Sequence, residues 1–184
     1  MKLSNRSLVA GGIFLAALNA LALPTDVDQP IKIEADRLDV DDAKGISVYR
    51  GDVKYSQGTM QLTADEVTLT ATSARVFDKA VALGKPAHFK QQIDVNGGEV
   101  TGQAAKIQYY ATTQQLVLEG AAHLSYCGDE FSGERIEYFV AKDLVKADKG
   151  GNGAAGRVQV ILQPRSRQEA EPANAPCRRL KVSP

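Results

Sequence analysis

A short phrase that recurs four times constrains this chain more than any other feature: a small residue, two further residues, then an aliphatic one. The copies are Ala35-Asp36-Arg37-Leu38, Ala64-Asp65-Glu66-Val67, Ala104-Ala105-Lys106-Ile107 and Gly133-Glu134-Arg135-Ile136, with first residues 29, 40 and 29 positions apart. Around each copy the apolar residues step by two, then three, then two, as in Ile33, Ala35, Leu38, Val40 and in Leu62, Ala64, Val67, Leu69. The later copies follow with Gly102, Ala104, Ile107, Tyr109 and with Phe131, Gly133, Ile136, Tyr138. A step of two is the period of a strand with one buried face. A step of three inside such a run turns the buried face outward unless the backbone bends or bulges there, and a small residue permits the bend. Each repeat therefore predicts a strand folded over a corner, lining first one sheet and then the other.

The stretches between the copies also read as strands. Ile46 and Val48, then Val53 and Tyr55, alternate on either side of Gly51, and Leu116, Leu118 and Ala122–Tyr126 continue the meander. Asp41–Gly45, Gln57-Gly58 and Asn96-Gly97-Gly98 carry turn chemistry, the last being a strong hairpin signal. Arg157–Leu162 is the last strand, and nowhere does a 3.6-residue period persist for two turns. Inward phase marks Leu38, Val48, Leu62, Ile107, Leu118 and Phe131 as lining positions. An ordinary filled β-sandwich core and an open groove share this pattern.

The ends differ from the middle. Lys2 and Arg6 precede an apolar run from Leu8 to Leu18, and Ala20-Leu21-Ala22 offers small residues for a signal peptidase, so residues 1–22 read as an export signal. Its removal leaves 20 Lys+Arg against 22 Asp+Glu, a formal charge of −2 (22 − 2 = 20 basic, acidic count unchanged). A near-neutral chain with no basic stripe does not suit nucleic acid. Residues 23–164 form one domain, and residues 165–184, with Pro172, Pro176 and Pro184 among polar and basic residues, read as a disordered tail. The interior has no Trp and is filled by Ala, Val, Thr and Gly, which suits a slender structure not wholly packed by its own side chains. In an oxidising compartment Cys127 and Cys177 are free to bridge, two unpaired thiols being the alternative.

Chemistry is scarce. His88 and His123 both alternate with inward neighbours and should point outward, and the carboxylate pairs are adjacent in sequence rather than convergent. No phosphate loop, nucleophile elbow or zinc spacing occurs, so the residues point away from an enzyme and call for no cofactor or metal. A carbohydrate-binding β-solenoid and a purely structural β-scaffold are the alternatives to a binding groove, although a sugar site would want aromatic platforms that a chain without Trp supplies poorly.

Gln29-Pro30-Ile31-Lys32-Ile33-Glu34-Ala35-Asp36, Gly51-Asp52-Val53, Gln57-Gly58-Thr59-Met60-Gln61-Leu62-Thr63-Ala64-Asp65 and Gly84-Lys85-Pro86-Ala87-His88-Phe89 together resemble the LptA/OstA family of periplasmic lipopolysaccharide-transport proteins. The resemblance runs in order from Asp28 to Pro164. It implies a twisted, slightly open β-jellyroll whose two sheets form a V around an apolar groove. It further implies that lipopolysaccharide, held by its lipid A, passes from an inner-membrane transport complex to an outer-membrane assembly protein along copies stacked end to end. Groove positions of the family fall on Ile31, Ile33, Phe89 and Tyr109. The two cysteines and the Pro-rich tail depart from the family pattern without touching its motifs.

Overall fold

The computed structural model describes residues 26–93, 98–142, 144–150, 156–164 and 181–182. A 3-10 turn at Asp26–Asp28 leads into β1 (Lys32–Glu34), β2 (Arg37–Asp41), β3 (Ile46–Gln57), β4 (Met60–Ala71), β5 (Phe77–Gln92) and β6 (Glu99–Tyr110). The chain continues through β7 (Gln115–Tyr126), β8 (Asp129–Phe139), β9 (Leu144–Asp148), β10 (Gln159–Ile161) and β11 (Lys181–Val182). These make one sheet in the order β1-β3-β4-β5-β6-β7-β8-β9-β11, with β2 also on β3 and β10 also on β8. Every pairing is antiparallel except that of β11 with β9. The expected export signal and most of the tail lie outside the described residues; within the tail, Lys181 and Val182 pair with Leu144 and Val145. The Asn96-Gly97 turn is likewise outside them, and its flanks close as a hairpin requires, with Ile93 N donating to Gly98 O at 2.8 Å.

The corner inferred from the repeats crosses the whole sheet. Pairing shifts register between Arg50 and Val53, Thr63 and Glu66, Leu83 and Ala87, Gln103 and Lys106, and Glu119 and Ala122. At the ends the break separates β1 from β2 along β3, and β10 from β9 along β8. The repeat phrases make the three-residue steps, such as Ala64 to Val67. The intervening strands need longer ones: Tyr49 to Val53, Ala82 to Ala87, Leu118 to Ala122. Extra residues are absorbed by left-handed backbone, with Gly51 at φ 79° beside Asp52 at 40°, and Gly120 at 82° beside Ala121 at 49°. Each strand thus keeps one face inward on both arms of the fold.

The inward faces meet in a core that is sealed at one end of the sheet and open at the other. Leu118, Leu124, Phe131, Ile136 and Tyr138 are fully buried, and Tyr126 packs edge-on against Tyr138 at 5.9 Å. Toward the N-terminal strands the filling stops, leaving Leu38 52% and Val40 61% exposed. The outward faces are bound by cross-strand ion pairs, Arg50 bridging Asp39 (2.6 Å) and Glu66 (2.7 Å), and Arg135 joining Glu119 and Glu137. Such exposed pairs contribute roughly 0.2–1 kcal/mol each, so burial and the backbone ladder hold the fold.

Gly102 makes the corner packing possible: a Cβ there would lie 2.4 Å from the Phe89 ring and 3.0 Å from Leu118. We expect Gly102→Ala to destabilise the domain by about 1–3 kcal/mol through overpacking, read as a lower denaturation midpoint; an unchanged midpoint would show that the Phe89 ring is free to move aside. Cys127, in the β7–β8 turn, is disulfide-bonded; the sequence's other cysteine, Cys177, lies outside the described residues. Thiol titration of the denatured, unreduced exported protein should find no free thiol, and two would exclude the bridge.

Candidate functional site

The unfilled part of the interior forms a trough between the two arms. Its narrow section, a cavity of about 60 Å³, is lined from one arm by Tyr55, Met60, Leu62, Phe89 and Gln91, and from the other by Val67, Leu69, Ala80, Ala82, Ile107, Tyr109 and Leu116. Leu69 also lines a wider section of about 770 Å³, where Leu38, Val40, Tyr49 and Phe77 face the space. Phe77 stacks on Tyr109 (6.4 Å between centroids, 11° between planes), joining the two sections. Ala80 and Ala82 leave room that larger side chains would occupy. Burial pushes the hydroxyls of Tyr49, Tyr55 and Tyr109 up from their ordinary ionisation range. They are neutral at physiological pH, so the narrow section carries no charge of its own.

Polar groups mark both ends. At the wide mouth the turns carry the exposed ion pairs Lys44–Asp41 (2.6 Å) and Arg75–Asp42 (2.5 Å). At the narrow end the N-terminal segment folds across the strand ends. The buried Asp26 carboxylate accepts from Thr59 N (2.9 Å), Thr59 Oγ1 (2.6 Å) and Gln91 Nε2 (3.3 Å). Gln57 accepts from the Tyr55 hydroxyl at 2.9 Å and donates to Gln29 O at 3.3 Å. Together these contacts tie residues 26–29 to the β3–β4 turn.

The sequence-derived lining positions divide into four groups. Leu62, Phe89, Ile107 and Tyr109 come together in the narrow section, and Leu38 lines the wide one. Ile33 pairs with Tyr55 and packs half-buried against the core, with Ile31 half-buried just before β1. Leu118 and Phe131 are sealed in the filled part of the core and reach neither section. Val48 requires correction: it pairs with Thr68 and Asp39, while Tyr49, one residue on, pairs with the core residue Val67 and lines the trough. Val48 is therefore on the outward face, because the β3 corner spans four residues and puts Ser47 and Tyr49, not Ile46 and Val48, in phase with Val53. Phe77, Met60 and the Asp26 lock were not singled out from sequence; only their place in the folded sheet reveals them. His88 is exposed and His123 half-buried, its Nδ1 2.9 Å from Ser132 Oγ, as their outward phase implies. Among the described residues no group of His, Cys, Asp or Glu could hold a metal ion.

An unclosed antiparallel sheet, folded along one corner into an apolar trough, defines the structural class. The family model described as the LptA/(LptD N-terminal domain) LPS transport protein matches residues 32–144. The lipopolysaccharide export system protein LptH of Pseudomonas aeruginosa is 32% identical, over 84% of this chain and 91% of its own length. LptA of Haemophilus influenzae, a protein of the same export system, is 35% identical over 93% of this chain and 99% of its own. The crystal structure of LptH, the LptA-homologous periplasmic component from P. aeruginosa, superposes with a TM-score of 0.67, covering 77% of this chain and all of that one. This chain belongs to the LptA family.

Asp26→Ala should free the β3–β4 turn from the N-terminal segment and cost about 1–3 kcal/mol, since it removes a buried acceptor of several hydrogen bonds. Amide exchange at Thr59 reads it directly: faster exchange is expected, and an unchanged rate would mean that Asp26 is no lock.

Proposed function

We propose that this chain is a periplasmic carrier that shields the acyl chains of lipopolysaccharide in its trough while the sugars stay in water. The observation that carries this reading is the trough itself, lined from both arms by aliphatic and aromatic side chains in a family whose members are named for lipopolysaccharide export. Each methylene moved from water to such a surface is favoured by about 0.8 kcal/mol, so a lipid with several chains needs cover at every step between membranes. Cover requires no bond chemistry, and the chain acts as a binding protein rather than an enzyme. The free edges suggest how cover continues from copy to copy. β1 and β2 have no partner on their outer side among the described strands, and β10 at the other end carries exposed Val160 and is flanked by exposed Val158 and Leu162. Strand addition at these edges would line the troughs up end to end. It would also join them to an inner-membrane complex on one side and to an outer-membrane assembly protein on the other; the family model covers the N-terminal domain of one such protein, LptD.

A substitution pair separates trough from surface. Leu62→Asp puts a carboxylate on the half-buried trough wall, where it meets water in the empty protein but must be buried unpaired against a chain. Lipopolysaccharide capture should fall by tenfold or more, roughly, while the melting temperature shifts little; Val48→Asp, on the outward face, should leave capture intact. Equal capture by both folded variants would contradict the trough. Light scattering over a concentration series tests the edges. Mass should grow with concentration, and a strict monomer throughout would exclude end-to-end association.

A further inference from the structure

Tyr109 is 6% exposed, and its hydroxyl, although buried, meets no hydrogen-bond partner. Its neighbours offer none: β6 sets it between Ala80 and Leu116, and Phe77 covers its ring. The contrast with other tyrosines is informative. Tyr55, also on the trough wall, donates to Gln57 at 2.9 Å, and Tyr110, on the outward face, donates to Gln108 at 3.2 Å. A phenylalanine would fill the Tyr109 site without a stranded donor, and buried hydroxyls ordinarily have partners. The position is also the junction of the two sections, so a chain running along the trough passes it.

We propose that the Tyr109 hydroxyl is a specificity element for oxygen-bearing acyl chains: it donates to a hydroxyl or ester oxygen partway along the bound chain and favours such chains over plain alkyl ones. The proposal rests on the trough reading and deepens it. The cavity of about 60 Å³ beside Tyr109 is smaller than an acyl segment, so a chain enters by spreading the arms there, which turns the hydroxyl from a shielded group into one facing the ligand. A bare alkyl chain leaves that donor unsatisfied in an apolar place. A chain with an oxygen at the right depth satisfies it, and only that depth should be rewarded.

Tyr109→Phe removes the hydroxyl alone. Stearate and a set of monohydroxystearates, with the hydroxyl at successive positions, would be titrated against a bound pyrene-labelled fatty acid on the exported full chain and on the variant. In the parent, one position should bind roughly fivefold more tightly than stearate. In the variant that preference should vanish, stearate should bind at least as well as to the parent, and the melting temperature should not fall. A preference that survives Tyr109→Phe, no preferred position in the parent, or a variant that melts well below the parent would each overturn the proposal while leaving the trough in place. Failure of every fatty acid to displace the probe from the parent would remove the trough reading, and this proposal with it.

Discussion

Everything in this structure depends on bending a sheet without closing it. A flat antiparallel sheet cannot bury a face against itself, and among the described residues this chain has no α-helix to cover it. Folding every strand at the same level lets the sheet cover itself, and the bend must recur in register in each strand or the hydrogen-bond ladder is lost. Two devices alternate. The repeat strands turn at a small residue with a three-residue step, and the strands between insert further residues, carried in β3 and β7 by a glycine and its neighbour at positive φ. The cost of left-handed backbone at Asp52 and Ala121 is offset by the continuity of the apolar face on both arms.

That continuity shapes the site. Large side chains fill the fold from β6 to β9, where Phe131, Ile136 and Tyr138 lock the arms together; on β5, Ala80 and Ala82 do not, and the arms stay apart. One sheet is thus a folded core at one end and a vacant trough at the other. The filled end supplies stability that does not depend on cargo, so a polar substitution on the trough wall and one in the core should act on different quantities. The polar groups on the wall of the narrow section are neutral, the hydroxyls of Tyr55 and Tyr109 and the amide of Gln91, which suits cargo that must leave as readily as it enters.

The corner, the inward phase and the all-β meander were readable from the spacing of apolar residues, because period two broken by three has few physical explanations. The membership of the trough was readable only in part. Leu62, Ile107 and Tyr109 followed from their phase. Val48 did not, since the number of residues spent in the β3 corner is set by Gly51 and Asp52 and cannot be counted from aliphatic spacing alone. Leu118 and Phe131 have the correct phase but lie where the arms are packed together, and phase does not tell a filled stretch from an empty one. Asp26 acts through Thr59 and Gln91, 33 and 65 residues away, and no local pattern announces such a contact.

Under the proposed function, a single inward face, continuous across the corner, meets the lipid. A photoreactive side chain placed in turn at consecutive positions of β4, from Gln61 to Thr70, in cells making lipopolysaccharide would test it most directly. Adducts are expected at Leu62, Val67 and Leu69, with silence at Thr63 and Thr68 and a three-residue step in the pattern at Ala64–Val67. Adducts that ignore this alternation, or that fall on the outward positions, would contradict it.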